Sequence, residues 1–200
     1  MNYSVKNIIT YCFFLFFLTG EVLADSLFDA QQAYLAGDYV KAKEIILPLA
    51  EEGNVLAQYN LAVIHISTPD SIKNYQEAMK WFHLASLQGD ADAQVWLGVM
   101  YDQGQGVTQD YQEAIKWYRL AAEHGSSGAQ ASLGIMYGQG QGVSKDDIRA
   151  YMWLDLAASQ GVNLAEHGRN LLAEKMTISQ INEAQKKTMN CKNSDYKNCD

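Results

Sequence analysis

The sequence predicts an all-α repeat protein, and three observations carry that prediction. Residues of several types return at intervals of 36: Gly53, Gly89, Gly125 and Gly161; Ala42, Ala78, Ala114 and Ala150; Trp81, Trp117 and Trp153; Tyr39, Tyr75 and Tyr111. The pair Ala-Gln does the same at 57–58, 93–94 and 129–130, with Ala165-Glu166 as a fourth, altered copy. Within each interval apolar side chains recur three and four residues apart, the spacing that lines one face of a helix. Prolines, which interrupt helices, number two in 200 residues.

Each unit reads as two helices. The first is read at residues 91–101, where Leu97 and Tyr101 lie four apart and share a face with Gly98. Glycine inside a helix costs about 1 kcal/mol against alanine. Its return as Gly98 and Gly134, with Ala62 in the earlier copy, therefore points to a partner helix that comes close at that site. The second helix is read at residues 111–124, with Ala114, Trp117, Leu120 and Ala121 as its apolar stripe and Gly125 closing it. Between the two, residues 102–110 and 138–146 form glycine-rich loops ending in Asp110 and Asp146, each suited to cap the next helix. The opening pair joins directly through Gly37-Asp38, and the next unit carries residues 67–71 in place of the glycine loop. Beyond residue 163 a further first helix runs to about Met176, Thr177 and Gln180 form a capping box, and a final helix is expected near residues 182–189.

The N-terminal end reads as a cleavable secretory signal. Lys6 supplies positive charge, residues 8–18 are an apolar core of signal-peptide length, and Val22-Leu23-Ala24 precede the expected cleavage. A membrane-spanning helix needs about 20 apolar residues, so no span is expected after cleavage. Asp25 stands where a lipoprotein would carry Cys, so no lipid anchor is expected. Cys12 falls inside the signal, which leaves Cys191 and Cys199 to pair in an oxidising compartment. Closing so short a loop is worth about 2–3 kcal/mol in the chain-entropy picture. The net charge of −8, without a long run of like charge, disfavours nucleic acid as a partner.

The residues Ala93, Leu97-Gly98, Tyr101, Gly104, Gly106, Ala114, Trp117, Ala121-Ala122 and Gly125 resemble the Sel1-like repeat family, relatives of tetratricopeptide repeats. Residues 127–162 carry the same pattern, and residues 55–90 match it more loosely, with His65 where the other two have Tyr. The resemblance implies an α/α superhelical solenoid and a protein-interaction role for an exported bacterial chain. On this reading the chain divides into a signal (1–24), a degenerate first helix pair (25–54), three repeats (55–90, 91–126, 127–162) and a C-terminal cap with a disulfide tail (163–200).

No chemistry-bearing constellation emerges. The Gly-Gln-Gly-Gln-Gly run at residues 138–142 lacks the preceding strand or trailing Lys-Ser/Thr of a nucleotide loop, and its relative recurs in the unit before, as a structural turn would. The four histidines form no ligand set: His65 reads as packed, His83 and His124 as exposed, and His167 stands alone. Neither a metal nor a cofactor nor a catalytic group is expected. Positions that change between units are the candidates for partner binding. On the first helices these are Tyr59, Asn60 and Val63, then Val95, Trp96 and Val99, then Ser132, a strip expected on the concave face. Trp96 reads either as an interface anchor or as a ring packed flat on the neighbouring repeat. Val63 and Val99, with Ile135, read either as an extension of the strip or as core.

The expectation is a periplasmic or secreted monomer that binds a protein or peptide, in the bacterial envelope or in contact with a host. Two alternatives stand beside it. Some cysteine-rich relatives are weak β-lactam-binding or hydrolysing proteins with Cys pairs eight apart, a spacing shared by Cys191 and Cys199, although the Ser-x-x-Lys motif of serine β-lactamases is missing. A structural, array-forming role is the other.

Overall fold

The computed structural model describes residues 24–69, 74–197 and 199. Among them the backbone forms ten helices and no strand. They are α1 (24–35), α2 (Tyr39–Glu51), α3 (Val55–Ser67), α4 (Tyr75–Leu87), α5 (Ala91–Gln103), α6 (Tyr111–Glu123), α7 (Ser127–Gln139), α8 (Asp147–Ser159), α9 (Asn163–Ala173) and α10 (Ile178–Asn193). The expected signal at 1–24 lies outside the described residues except for Ala24, which is helical. No described helix is long and apolar enough to cross a membrane. The chain forms two compact units that divide within α4, after Trp81.

The helix starts repeat as faithfully as the core. Asp38, Asn74, Asp110 and Asp146, each 36 apart, accept hydrogen bonds from backbone N–H groups in the first turn of α2, α4, α6 and α8. Asn54, Asp90 and Ser126 do the same for α3, α5 and α7. Each cap satisfies a donor that a helix start leaves open, which stabilises it by about 1 kcal/mol. At the next equivalent position Val162 has no hydrogen-bond acceptor on its side chain, and α9 begins without a side-chain cap.

In the first unit α2 packs on α3. Alanines at 30, 33, 42, 50, 57 and 62 are almost fully buried and let the helices approach closely around Ile46 and Leu61. Gln58, buried on α3, donates its amide N–H to the Ala50 carbonyl at 3.1 Å. Tyr34 Oη donates to Ser67 Oγ at 2.9 Å, tying α1 to the end of α3.

In the second unit α5 pairs with α6 and α7 with α8, and α6 also meets α7. The recurring glycines sit at these pairings. A Cβ on Gly98 would lie 2.6 Å from the Tyr118 ring, and one on Gly134 would lie 2.6 Å from Leu154 Cγ. The close approach expected from the sequence is therefore what these glycines provide. Both glycine loops close alike, with the Asp110 N–H donating to Tyr101 O and the Asp146 N–H to Tyr137 O. Within each of these two repeats a buried glutamine ties the start of the first helix to the end of the second. His124 Nδ1 donates to Gln94 Oε1 at 3.1 Å, and Gln160 Nε2 donates to Gln130 Oε1 at 2.8 Å, each linking residues 30 apart. The Arg119 guanidinium on α6 donates to Tyr137 Oη on α7, and Arg149 on α8 lies over the same ring.

Where the next repeat would carry Leu-Gly, α9 carries Arg169-Asn170. Arg169 forms an ion pair with Asp155 at 2.8 Å instead of filling a core. α9 packs on α8, and α10 also returns to α8. The final helix is longer than the expected 182–189. The capping box is present, with the Gln180 N–H donating to Thr177 Oγ1 and the Thr177 N–H to Gln180 Oε1, so the helix starts directly behind it at Ile178. It continues past Met189 because Ala184, Thr188 and Cys191, on one face, are buried. Cys191 and Cys199 are joined as a disulfide with their Cα atoms 4.7 Å apart. Cys191 belongs to the buried cluster that includes Tyr118, Met152 and Trp153, and Tyr196 packs against the same cluster, so the loop is fastened to the core.

Candidate functional site

Tyr59, Asn60 and Val63 lie on α3 and are all half-buried. Asn60 and Val63 line a cleft of about 520 Å³ formed by α1, α2 and α3. The cleft also exposes Phe28 and Leu35 of α1 and Leu56 of α3, which were not among the sequence candidates. For Leu56 a signal existed: the residues 36 and 72 further on are Asp92 and Gly128, so a large apolar side chain departs from the pattern. Phe28 and Leu35 belong to the degenerate pair and had no aligned counterpart to stand out against.

In the second unit Val95, Trp96 and Val99 lie on α5 and Ser132 on α7, all half-buried. Val95 and Val99 pack against the core cluster and so serve the fold as well as the surface. Trp96 lies flat on Phe82, with ring centroids 5.7 Å apart and planes 8° apart. One indole face is thus taken by the neighbouring repeat, while part of the side chain remains at the surface. Ser132 Oγ donates to the Gly128 carbonyl at 3.1 Å.

The electrostatics suit a scaffold. Burial pushes the Tyr118 phenol well above its usual range, with Asp102 adding to the rise and its contact with the Ser132 hydroxyl opposing it. Tyr118 therefore stays protonated at any ordinary pH. Burial also raises Asp102. Among the described residues no group of three or more His, Cys, Asp or Glu is placed to hold a metal ion. His83 and His124 are exposed, the former edge-on to Trp117.

His65 is half-buried, as its alignment with Tyr101 and Tyr137 implied. Burial lowers its pKa from the ordinary 6.5, Lys43 lowers it further, and Glu77 opposes both. With the folded-state pKa below the unfolded one, the unfolded chain takes up the proton first as pH falls. Stability should therefore decline from about pH 6.5 downward, until the folded-state ring is itself protonated. His65→Tyr, which installs the residue of the next two repeats, should flatten this decline. Urea midpoints at pH 7.5 and 5.5 check it: equal losses in wild type and variant would assign the acid sensitivity elsewhere.

The Sel1 repeat model matches residues 55–90, 91–126 and 127–162, together more than half of the chain. Among solved structures, the chain is similar to a protective antigen present in uropathogenic Escherichia coli strains that displays an SLR fold. That match has 29% identity and a TM-score of 0.59, over 78% of this chain and 42% of that one. It is also similar to a Sel1 repeat protein from Oxalobacter formigenes, with 33% identity and a TM-score of 0.63, over 72% of this chain and 63% of that one. The chain thus spans less than two thirds of either structure. Comparison with curated proteins gives no match. With three consecutive repeats matched and an all-α solenoid class shared with these structures, the chain belongs to the Sel1 repeat family, helical scaffolds that typically mediate protein–protein interaction.

Proposed function

We propose that this chain is an exported monomeric scaffold that binds a protein or peptide through its first helices, in the bacterial envelope or in contact with a host. The observation that carries this reading is the division between recurring and varying positions. Ala57, Leu61, Ala93, Leu97, Ala129 and Leu133 recur and are fully buried. Tyr59, Asn60, Val63, Val95, Trp96, Val99 and Ser132 vary or flank them and stay half at the surface. A scaffold keeps its frame constant and changes its contact surface in this way. Export is supported by the apolar leading segment and by a disulfide, which persists in oxidising compartments. One structural neighbour is a protective antigen present in uropathogenic strains, which supports host contact for this chain as well.

A photoreactive amino acid at position 96, activated in intact cells expressing the full chain, tests the reading. It should capture a discrete protein partner that Trp96→Ala/Tyr59→Ala protein recovers several-fold less well in a pull-down. Equal recovery by both proteins would show that the first helices are the wrong surface. Light scattering during size exclusion should give one copy per particle across a range of concentrations.

A further inference from the structure

The C-terminal loop joins a buried sulfur to an accessible one. Cys191 lies in the last turn of α10 and is 1% exposed, within the cluster that includes Tyr118, Met152 and Trp153. Cys199 packs against that cluster but is only half-buried, so a thiol in solution can approach the bond from its side. Between the two the backbone turns sharply. Asp195 and Tyr196 have φ +55° and +63°, and they are the only non-glycine residues in the left-handed region among the described residues. Such backbone is disfavoured for an L side chain and persists only where its surroundings impose it. Two features impose it here. The disulfide joins residues eight apart, and the Tyr196 ring lies over Gly125 at the end of α6, 3.7 Å from where a Cβ would stand. The Cys191 carbonyl gathers the turn, accepting from the Tyr196 N–H and from Ser194 Oγ, each at 2.9 Å. The neighbouring repeats are held by other means. The caps and glutamine ties of α5 to α8 involve no residue beyond Gln160.

We propose that this loop is a redox-sensitive latch on the end of α6, opened by a dithiol. One thiolate of the dithiol attacks the Cys199 sulfur and forms a mixed disulfide. The bond to Cys191 breaks, and Cys191 leaves as a thiolate that takes up a proton. The second thiol then displaces Cys199, and the dithiol becomes an internal disulfide. Two electrons and two protons have passed to the protein. Asp195 and Tyr196 relax to ordinary backbone, and the ring leaves Gly125. α10 keeps its place, because Ala184 and Thr188 stay buried and the Cys191 thiol packs as a small apolar group. The surface at the end of α6 thus follows the thiol balance of its surroundings. The latch goes beyond the scaffold reading and does not depend on which partner the first helices bind.

The test uses oxidised protein purified from cells expressing the full chain, with dithiothreitol as the dithiol and no denaturant. Iodoacetamide trapping, followed by mass measurement of the peptides bearing Cys191 and Cys199, reads the state of the bond. Both cysteines should be alkylated within about an hour. Hydrogen exchange should quicken about tenfold or more over residues 194–197 and stay within about twofold of its starting rate in α5 to α8. In mixtures of reduced and oxidised dithiothreitol, Asp195→Gly should favour the closed form about fivefold, because glycine accepts the left-handed backbone. Tyr196→Ala should favour the open form about tenfold, because no ring then holds the loop. Unchanged far-UV circular dichroism confirms that both variants fold.

A disulfide that yields only once urea unfolds the chain would overturn the proposal and leave a purely structural bridge. Exchange that quickens across α5 to α8 would overturn it too, because the array itself would then depend on the bond. So would equal equilibrium constants in wild type and both variants.

Discussion

Gly142→Ala should lower stability by about 2–4 kcal/mol, combining the cost of a left-handed residue with that of overpacking. Gly142 has φ +69°, and a Cβ there would lie 2.7 Å from the Tyr111 carbonyl carbon and 2.8 Å from its oxygen. Those atoms are backbone at the start of α6, which is anchored by the Asp110 cap, so they cannot swing aside as a side chain could. Gly161→Ala is the control. Gly161 has φ +88°, and nothing lies within 4 Å of a Cβ there, so only the backbone cost of about 1–2 kcal/mol applies. Urea unfolding monitored by circular dichroism measures both. A midpoint shift for Gly142→Ala no larger than that for Gly161→Ala would show that the loop of one repeat is not seated on the second helix of the repeat before it.

Trp153→Ala should cost about 3–5 kcal/mol, the range for emptying a large aromatic site in a core. Trp153 is 2% exposed and among the largest fully buried side chains of the chain. Its repeat counterpart Trp117 is half-buried, with His83 edge-on to its ring, and Trp117→Ala should cost about 1–2 kcal/mol in proportion to the smaller area it covers. The two differ because α8 is covered by α7, α9 and α10, whereas α6 meets α5 and α7. Comparable losses in the two variants would mean that the terminal helices do not close over α8.

The three tryptophans spaced by 36, Trp81, Trp117 and Trp153, show both the reach and the limit of reading a repeat from sequence. Their spacing marks them as one structural position, and Trp81 and Trp153 are indeed buried. It cannot say that Trp117 is covered less, because coverage depends on which other helices pack over each ring. Helix ends were legible for a local reason: a cap is a contact over two or three residues, so Asp110 and Asp146 could be named from their own neighbourhoods. Gly98 and Gly134 were legible because a costly residue that returns at a fixed interval needs a compensating contact. The Ala-Gln pairs were visible as a pattern but their purpose was not. Gln94 and Gln130 bond to residues 30 positions later, a distance at which sequence periodicity gives no partner. The cleft was half legible. Asn60 and Val63 belong to a repeat that aligns with others, while Phe28 and Leu35 belong to a pair that aligns with none. Trp96 departed from its small counterparts and drew notice for that, but the ring beneath it, Phe82, belongs to the preceding repeat's helix and had to be seen in space.

The Arg169-Asn170 substitution in α9 also governs how the molecule can change in length. A further 36-residue module spliced at the junction of Ser126 and Ser127 would bring its own Leu-Gly notch, its own helix caps and its own buried glutamine, and each would meet a matching neighbour. The same module placed after α9 would meet a charged side chain already committed to Asp155 and an asparagine where the notch should be. Growth by duplication is therefore open inside the array and closed at α9. Shorter and longer relatives generated from such a chain would differ in their middle modules while keeping the same terminal clasp.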